Sequence, residues 1–484
     1  MIPLTAAEIL EATGGRLSGL DPQQAAELTV TSGTTDSREV NHGALFIAKP
    51  GESTDGHRFI PQAAAAGASL MLAERETFVE TGTAYPAVIV PEVVEAMGKI
   101  AEYVVARLRE QGDLTVIGIT GSAGKTTTKD LLAGILSQLG PTVAPIGSYN
   151  GEVGVPLTVF RAEAQTRFLI IEMGADHVGN IRSLCTMVSP DLGAILTAGT
   201  AHAASFGGVE NIARTKGELA DGVHPGGAVV LNADDARVVP MAQRASAEVT
   251  WFGVADRHVI NLPEGARLIE ARGLRTEATG CPSFELVFPS GAAHPVTSRL
   301  IGEHHVYNLL AAAALALQAG AGEELIASSL STLAARSRYR MERTDRPDGV
   351  TVINDAYNAN PESMAAALRT LAQMGRDAQP PRRTWAVLGA MLELGETSVE
   401  GHAKLGRDIV RLNISRLIAV GPEARPIYQD AHLEGSWGQE AAWVETPEEA
   451  EQILHEQLEP GDIVLVKSSN GAGLRFLGDR VAHS

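Results

Sequence analysis

Cysteines, aromatic residues and long apolar runs are scarce in this chain of 484 residues. Its two cysteines, Cys185 and Cys281, are too few for a disulfide framework, so we expect reduced thiols and a cytoplasmic protein. No apolar run approaches the roughly 18 residues that span a bilayer, and the stretch Leu309–Leu317 is far too short. The start, Met1-Ile2-Pro3-Leu4-Thr5, lacks the basic region of a signal peptide. These absences argue against a secreted disulfide scaffold and a membrane protein.

Positively charged residues are also few compared with negatively charged ones. Lys and Arg number 39 against 58 Asp and Glu, a net charge of −19. Nucleic-acid binding depends on clustered cations, so we expect no nucleic-acid partner, and likewise no membrane partner. A small phosphorylated ligand stays compatible with this charge, because it needs only a local pocket of amides and a few cations. We expect the protein to be a monomer.

The chain length fits about three domains, and its pattern is that of an α/β protein. We predict a small α/β N-terminal domain over residues 1–93. A central domain over residues 94–337 has a mostly parallel, P-loop-type sheet, because apolar strands alternate with helical patterns. A C-terminal domain over residues 338–484 is doubly wound and Rossmann-like. A less regular part is expected from Thr250 to Arg299. The strands predicted in the last two domains are Leu114–Thr120, Phe168–Glu172, Leu192–Thr197, Gly227–Leu231, Val350–Asn354, Trp385–Leu388, Leu417–Val420 and Ile463–Val466.

The most specific motif follows the strand that ends at Thr120 and opens a helix. Its glycines would let backbone amides close around phosphate oxygens, its lysine would supply a charge to the terminal phosphates, and its first threonine would offer a hydroxyl to Mg²⁺. The strict G-x-x-x-x-G-K-T spacing fails, since position 119 is Ile, and a shorter T-G-x-x-G-K-T-T form takes its place. The predicted ATP-binding residues of this loop are Gly121, Ser122, Ala123, Gly124, Lys125, Thr126 and Thr127.

Three further residues follow successive segments of the same domain. Glu172 ends a strand, where a carboxylate can hold Mg²⁺ beside the phosphate loop. His202 follows the next strand, and Lys216 lies in a helix after it. Each alone is more often structural, but together they point to a site. We predict Thr126, Glu172 and His202 as metal ligands.

The third segment carries a loop rich in polar side chains. Turn chemistry explains Asn360 before Pro361, but not the preceding Asp355, Tyr357 and Asn358. Arg340, upstream, could reach a phosphate or pair with Asp355.

Asn308 opens a helix at the end of the central domain. Its carboxamide could read an adenine edge, although a helix-start Asn is the simpler interpretation.

Together these motifs resemble the Mur ligases, ATP-dependent enzymes that form amide bonds, and the match spans nearly the whole chain. Two further motifs are the most discriminating within the family, and they are typical of the member that joins D-alanyl-D-alanine to UDP-N-acetylmuramoyl-tripeptide. The sequence departs from the family pattern at Gly151, His305, Ala390 and Asn470. The matching segments, besides the phosphate loop, are 35–38, 51–59, 149–156, 171–175, 213–218 and 231–235, with the two discriminating ones at 357–361 and 388–395.

The resemblance implies a cleft that holds the UDP-linked peptide, ATP, Mg²⁺ and the amino substrate. It implies ATP contacts also for Asn308, Arg340 and Asp355, and catalytic roles for Lys125, His202 and Lys216. The third residue of the accepted peptide, lysine or a diaminoacid, stays open. The residues implied in substrate binding are Ser37, Arg38, Asp55, Gly56, His57, Asn150, Tyr357, Asn358 and Asn360.

Lys216 is a special case, because a plain ammonium sits badly between two Mg²⁺ ions. Reaction with CO₂ to a carbamate would reverse its sign and supply the oxygens that Mg²⁺ prefers. The resemblance to relatives with a carbamylated lysine supports this. The alternative is a lysine that stays cationic and contacts a phosphate.

Three other functions compete with this interpretation. A sister ligase that adds the third amino acid would carry an Asp-Asn-Pro-Arg loop in its last domain, which this sequence lacks. A folylpolyglutamate synthase would begin much closer to the phosphate loop. A phosphate-loop switch without a transferase step would leave the third segment unexplained.

Overall fold

The computed structural model of the protein describes residues 1–51, 54–199, 206, 208–334, 336–435 and 439–484. Three main sheets follow one another along the chain, within residues 16–89, 115–297 and 342–467. Parallel strands with helices between them dominate the second and third sheets. The predicted α/β class with three sheet units is therefore confirmed, whereas the domain boundaries after residues 93 and 337 stay predictions.

The first sheet has five strands, of which one edge strand runs antiparallel and the others are parallel. Its middle strand positions are apolar and buried on both faces, as parallel strands between covering layers require. A separate antiparallel pair, Leu4–Thr5 with Thr29–Val30, lies beside it. In spatial order the strands are Arg16–Ser18, Ala87–Ile89, Ala68–Ala73, Ala44–Ile47 and Ser32–Thr34.

The second sheet has nine strands, seven of them parallel to their neighbours. The strand that leads into the phosphate loop is interior, so the loop emerges at the carboxyl edge of the sheet, where ligands of α/β proteins bind. In spatial order the strands are Ala293–Thr297, Pro282–Val287, Arg267–Thr276, Glu248–Val254, Ala228–Asn232, Leu192–Ile195, Thr115–Thr120, Phe168–Glu172 and Thr142–Val143.

The expectation of a less regular part from Thr250 to Arg299 is wrong. Four strands occupy most of it and extend the central sheet, the last two as an antiparallel edge. The strand Arg267–Thr276 is half-exposed and interrupted by a register shift after Arg272. The charged and half-exposed positions of this strand break the continuous apolar run that signals a buried parallel strand.

The third sheet has six strands, five of them parallel, and an antiparallel edge strand. Apolar side chains pack on both of its faces, one against each helix layer. The four strands predicted here are present with ends shifted by no more than one residue. In spatial order the strands are Glu342–Asp345, Thr351–Asn354, Ile463–Lys467, Thr384–Leu388, Arg416–Val420 and Ala441–Val444.

The long helix Val93–Gln111 packs where the first and second sheet units meet. Its apolar positions recur at helical spacing and join one buried cluster with side chains from both units. Among the described residues, no helix is long and apolar enough to cross a membrane. The other α-helices are Ala6–Thr13, Pro22–Glu27, Ile60–Ala65, Lys125–Leu136, Gly154–Val159, Asn180–Val188, Val209–Lys216, Glu218–Gly222, His305–Gln318, Glu323–Thr332, Pro361–Asp377, Ser398–Arg411, Arg425–Glu434, Pro447–Gln457 and Leu474–His483, and the 3₁₀ turns are Gly56–Phe59, Val239–Arg244, Gly395–Thr397 and Asn470–Ala472.

Candidate active site

The phosphate loop joins the strand Thr115–Thr120 to the helix Lys125–Leu136. Gly124 adopts φ 86°, and a Cβ there would lie 2.2 Å from Oδ1 of Asn308, so both its backbone and its neighbour require glycine. The Lys125 ammonium folds back and donates to the Gly121 carbonyl at 2.7 Å. Burial lowers the pKa of Lys125, and Arg340 adds to the effect while Glu172 opposes it.

The amides of Ser122 and Ala123 are held by the next βα loop of the sheet. Ser122 N–H donates to the Thr197 carbonyl at 2.9 Å, and Ala123 N–H donates to the Thr197 hydroxyl at 3.3 Å. The Ser122 hydroxyl accepts from Gly199 N–H at 2.9 Å. The loop is therefore preformed, which lowers the ordering cost of binding a phosphate.

A buried carboxylate lies directly beside this loop. Glu172 is 1% exposed and accepts from the Thr126 hydroxyl at 2.9 Å and from the Asn150 amide at 2.8 Å. The Thr126 hydroxyl also lies 2.9 Å from that of Ser148. One carboxylate with neighbouring hydroxyls, next to a phosphate loop, is a set of hard oxygen donors that suits Mg²⁺.

Of the two other residues predicted near this centre, only Lys216 can be placed, because His202 lies outside the described residues. Lys216 ends the helix Val209–Lys216, is 5% exposed and lines the cleft. Burial and the nearby Lys125 place its pKa well below the usual value.

Asn308 packs behind the phosphate loop. Its Nδ2 donates to Nδ1 of His305 at 3.0 Å, and its Oδ1 accepts from the Thr128 hydroxyl at 3.5 Å. Asn308 is buried, and it is not among the described residues that line the main cleft. Contact with adenine therefore stays a prediction, while the contact with Gly124 supports the loop.

Arg340 reaches from the third sheet unit towards the phosphate loop. It donates to the Ser148 hydroxyl at 2.9 Å, and its guanidinium lies 4.5 Å from the centre of the Tyr357 ring. The suggested pairing of Arg340 with Asp355 is wrong, because Asp355 binds Lys467 at 2.5 Å and accepts from Met341 N–H at 3.0 Å. The buried Lys467 is the closer and better enclosed cation, which leaves Arg340 for the cleft.

Lys467 holds the polar loop of residues 355–360 in place through several contacts. Besides Asp355, its ammonium donates to the carbonyl of Asn358 at 2.9 Å. Next to it, the Ser469 hydroxyl accepts from Leu392 N–H at 3.0 Å and donates to the Ala359 carbonyl at 3.4 Å. Two loops from different strands are thus fixed to the end of the strand Ile463–Lys467.

These ties enclose a small cavity of about 150 Å³. The predicted Asn358 and Asn360 line it, together with three residues of the discriminating motif around Glu393. Asn360 also caps the helix Pro361–Asp377 by accepting from Ser363 N–H at 2.8 Å. The residues that line the cavity are Asn358, Ala359, Asn360, Leu392, Glu393, Leu394, Ser469, Asn470 and Gly471.

A much larger cleft of about 1230 Å³ lies beside it. Its lining includes the phosphate loop and Glu172 from the second sheet unit, and Arg340, Tyr357 and Asn358 from the third. From the first unit come Thr35 and Lys49. All three sheet units therefore meet at one cleft.

The predicted substrate residues of the first unit are engaged mainly with one another. His57 is buried, with Nδ1 2.6 Å from Asp55, and its Nε2 accepts from Glu74 N–H at 3.0 Å. A Cβ on Gly56 would lie 2.5 Å from the Lys49 carbonyl. Asp55 also pairs with Arg75, and this hydrogen bond and those from His57 lower its pKa. This group shapes the turn that carries Lys49.

Ser37 and Arg38 lie on a neighbouring turn. Arg38 is exposed and pairs with Asp36 at 2.6 Å, which lowers the pKa of that carboxyl to about 2. Ser37 donates to Gln62 at 3.2 Å. Their roles in substrate binding stay predictions.

Sequence reasoning missed several residues of this region, namely Lys49, Ser148, Lys467 and Ser469. Lys467 and Ser469 stand in a segment that differs from the family pattern, and only their contacts reveal their function. Ser148 stands immediately before the matching segment 149–156, so its nearness to that motif was the available signal.

Three family models match the chain. They are the catalytic domain of the Mur ligase family over residues 29–111, the Mur ligase middle domain over residues 119–316, and the glutamate ligase domain over residues 339–470. Together they cover most of the chain, which therefore belongs to the Mur ligase family and is a ligase.

The relatives narrow the comparison to one member of the family. A UDP-N-acetylmuramoyl-tripeptide–D-alanyl-D-alanine ligase from Mycobacterium bovis is 42% identical, with 99% of this chain and 98% of the relative covered. The enzyme of the same name from Escherichia coli is 32% identical over 88% of each chain. The MurF structure from Acinetobacter baumannii has a TM-score of 0.84 at 29% identity, covering 100% of this chain and 99% of that one. A MurF ligase from Thermotoga maritima in complex with ADP has a TM-score of 0.78 at 25% identity, covering 94% and 97%.

Proposed function

We propose that this protein joins D-alanyl-D-alanine to UDP-N-acetylmuramoyl-tripeptide, with ATP hydrolysed to ADP and phosphate. The observation that carries the proposal is the single cleft at which a preformed phosphate loop faces Arg340 and the polar loop of the third sheet unit. The small cavity adjoining that cleft suits a compact amino substrate. The names of the relatives support the choice of substrates.

The first step is phosphorylation of the peptide carboxylate. A carboxylate is a poor electrophile, and phosphorylation turns one of its oxygens into a leaving group. The backbone amides of residues 124–126 and the Lys125 ammonium bind the terminal phosphates of ATP, and Arg340 approaches the same phosphates from the opposite wall. Thr126 and Glu172 would hold Mg²⁺, and the ion would neutralise part of the charge on the phosphates. Positioning of the two reactants does most of the remaining work.

The second step is attack of the dipeptide amine on the acyl phosphate. The cavity offers apolar contacts from Ala359, Leu392 and Leu394 for two methyl groups, and polar contacts from asparagine and serine for the peptide group. The UDP-sugar lies towards Thr35 and Lys49, where Lys49 provides positive charge for its diphosphate.

Release of ADP and phosphate tests this function. The purified protein is assayed with ATP and a panel of UDP-muramoyl peptides and amino substrates, and the product is weighed by mass spectrometry. We expect release only when a UDP-muramoyl-tripeptide and D-alanyl-D-alanine are both present. Panel members with lysine or a diaminoacid as the third residue decide which peptide is accepted. Turnover of a UDP-muramoyl-dipeptide with a single amino acid would identify the sister ligase instead, and hydrolysis without either substrate would identify a switch.

The metal site has its own test in Glu172→Gln. The amide keeps the shape of the side chain but removes its charge, so the half-saturating Mg²⁺ concentration should rise by about 10–100-fold. The matched control is Glu152→Gln, a second carboxylate of the cleft that contacts Asn180 instead of Thr126. Unchanged metal dependence of Glu172→Gln would make Glu172 a structural residue.

A further inference from the structure

Two described residues, Asn358 and Glu393, line both the small cavity and the large cleft. They therefore mark the place where the two spaces adjoin. A molecule seated in the cavity with one end in the cleft must pass between these side chains.

The backbone of Glu393 is strained at this position. Its φ is 64°, in the left-handed region that side chains other than Gly and Asn rarely adopt. The neighbouring amides enforce it, since Met391 N–H donates to Nε2 of His402 at 2.9 Å and Leu392 N–H donates to Ser469. Backbone strain that is held by surrounding contacts concentrates at functional sites.

Charge singles out the same residue. Glu393 is the one ionisable side chain among the described residues that line the cavity, where the other polar side chains are neutral amides and a hydroxyl. A dipeptide carries an ammonium at one end and a carboxylate at the other. Its ammonium is therefore attracted to the end of the cavity that faces the cleft.

The opposite end of the cavity suits the carboxylate. The carbonyl oxygens of Asn470, in the side chain and the backbone, both accept from Arg475, which leaves the side-chain NH₂ of Asn470 as a donor. The guanidinium of Arg475 adds positive charge behind it. The orientation is thus set, with the amine towards the cleft and the carboxylate towards Asn470.

The cleft holds other charged groups, but they are placed differently. Glu172 is bound to Thr126 and Asn150, and among the described residues that line the cleft, Glu393 is the one carboxylate that also borders the cavity. The remaining charged or titratable side chains among the described residues that line the cleft are Lys49, Lys125, Tyr149, Glu152, Asp176, His177, Lys216, Arg340 and Tyr357.

We propose that Glu393 binds the ammonium of the incoming amino substrate and takes its proton. This inference rests on the function proposed above. One ammonium proton moves to the Glu393 carboxylate, and the freed nitrogen lone pair forms the C–N bond at the acyl carbon. The C–O bond to phosphate breaks, and the phosphate leaves with the second nitrogen proton. Glu393 then returns its proton to solvent through the cleft.

The test compares Glu393→Gln with Glu396→Gln, an exposed carboxylate three residues away. Two reactions are followed for each, transfer to D-alanyl-D-alanine and transfer to hydroxylamine, which is uncharged near neutral pH and needs no base to become a nucleophile. We expect Glu393→Gln to lose about 10²–10⁴-fold in kcat for the dipeptide, to recover part of this at higher pH, and to form hydroxamate at the wild-type rate. Glu396→Gln should match wild type in both.

Two further variants separate chemistry from folding. Glu393→Asp keeps a carboxylate and should restore part of the dipeptide rate, whereas Glu393→Asn tolerates the left-handed backbone and should behave like Glu393→Gln. Equal dipeptide kinetics of Glu393→Gln and wild type would overturn the inference, as would loss of hydroxamate formation, which would make the residue structural. Absence of D-alanyl-D-alanine-dependent turnover in wild type would overturn the proposed function as well.

Discussion

The phosphate loop and the small cavity lie on neighbouring parts of one cleft, but the chain builds them differently. The phosphate loop is one continuous run, in which Lys125 binds the carbonyl of Gly121 four residues away. The cavity needs three separate segments, held together by Lys467 and Ser469, and the Lys467–Asp355 contact spans 112 positions. The first region depends on individual side chains that act on the ligand. The second depends on ties that give the cavity its shape.

The largest effect should come from Lys125→Ala, since this ammonium belongs to the phosphate loop itself and contacts the terminal phosphates directly. We expect a loss of at least about 10³-fold in ADP formation, because a donor aimed at a reacting phosphate contributes on this scale. Folding should be intact by circular dichroism, and Lys404→Ala, on an exposed position of the helix Ser398–Arg411, serves as control. Normal product formation by Lys125→Ala would contradict the assignment of the loop.

In the cavity, the corresponding change is Lys467→Met, which removes the ion pair with Asp355 and the hydrogen bond to the carbonyl of Asn358. Breaking a buried ion pair leaves Asp355 uncompensated and should cost about 3–5 kcal/mol in the free energy of unfolding. The KM for D-alanyl-D-alanine should rise far more than the KM for ATP. The double variant Lys467→Met/Asp355→Asn should regain part of the stability. If the single variant unfolds like wild type, the ties do not hold the cavity.

Experiments on Lys216 test whether the side of the cleft that carries the phosphate loop needs a second negative charge besides that of Glu172. We propose that Lys216 is carbamylated, because burial and Lys125 lower its pKa and so make a neutral amine available to CO₂. Enzyme depleted of CO₂ should lose activity by about 10–100-fold and recover with bicarbonate. Small added carboxylates should partly restore Lys216→Ala. If neither treatment has an effect, Lys216 acts as a simple cation.

The smallest effect is expected at His258, which is not among the described residues that line the cavity or the cleft. Its Nδ1 lies 2.6 Å from Asp234 and its Nε2 3.0 Å from Glu270. Burial lowers the pKa of His258, but the two carboxylates outweigh it and the net pKa is raised. The charged imidazole therefore stabilises the fold fully below the unfolded-state pKa of about 6.5, and this stabilisation disappears as the pH rises through the higher folded-state value.

Urea unfolding at several pH values checks this. His258→Gln should cost on the order of 1–2 kcal/mol in unfolding free energy below about pH 6.5 and less at alkaline pH. His42→Gln, at an exposed position, should show no such trend. If the loss of unfolding free energy caused by His258→Gln grew with pH, the folded-state pKa of His258 would be lowered instead of raised. That result would refute a charged His258 paired with Asp234 and Glu270.

The contrast between the two regions also explains what could be predicted from the sequence. The phosphate loop and Glu172 follow apolar parallel strands, whose continuous burial gives a clear signal, so their placement was predictable. The ties from Lys467 and Ser469 join loops that are distant in sequence, and no local pattern encodes such contacts. Of the two alternatives for Arg340, a phosphate contact or a pair with Asp355, the second is wrong for the same reason, since Arg340 is near Asp355 in sequence whereas its actual partner Lys467 is near only in space.

The central claim is that the phosphate-loop wall activates the peptide carboxylate with phosphate before the amine arrives from the cavity. The most direct test uses UDP-muramoyl-tripeptide labelled with ¹⁸O in its terminal carboxylate, together with ATP and D-alanyl-D-alanine. The account predicts that each phosphate released carries one ¹⁸O atom from the peptide, and that Lys125→Ala releases none. Unlabelled phosphate released alongside pentapeptide product would contradict it.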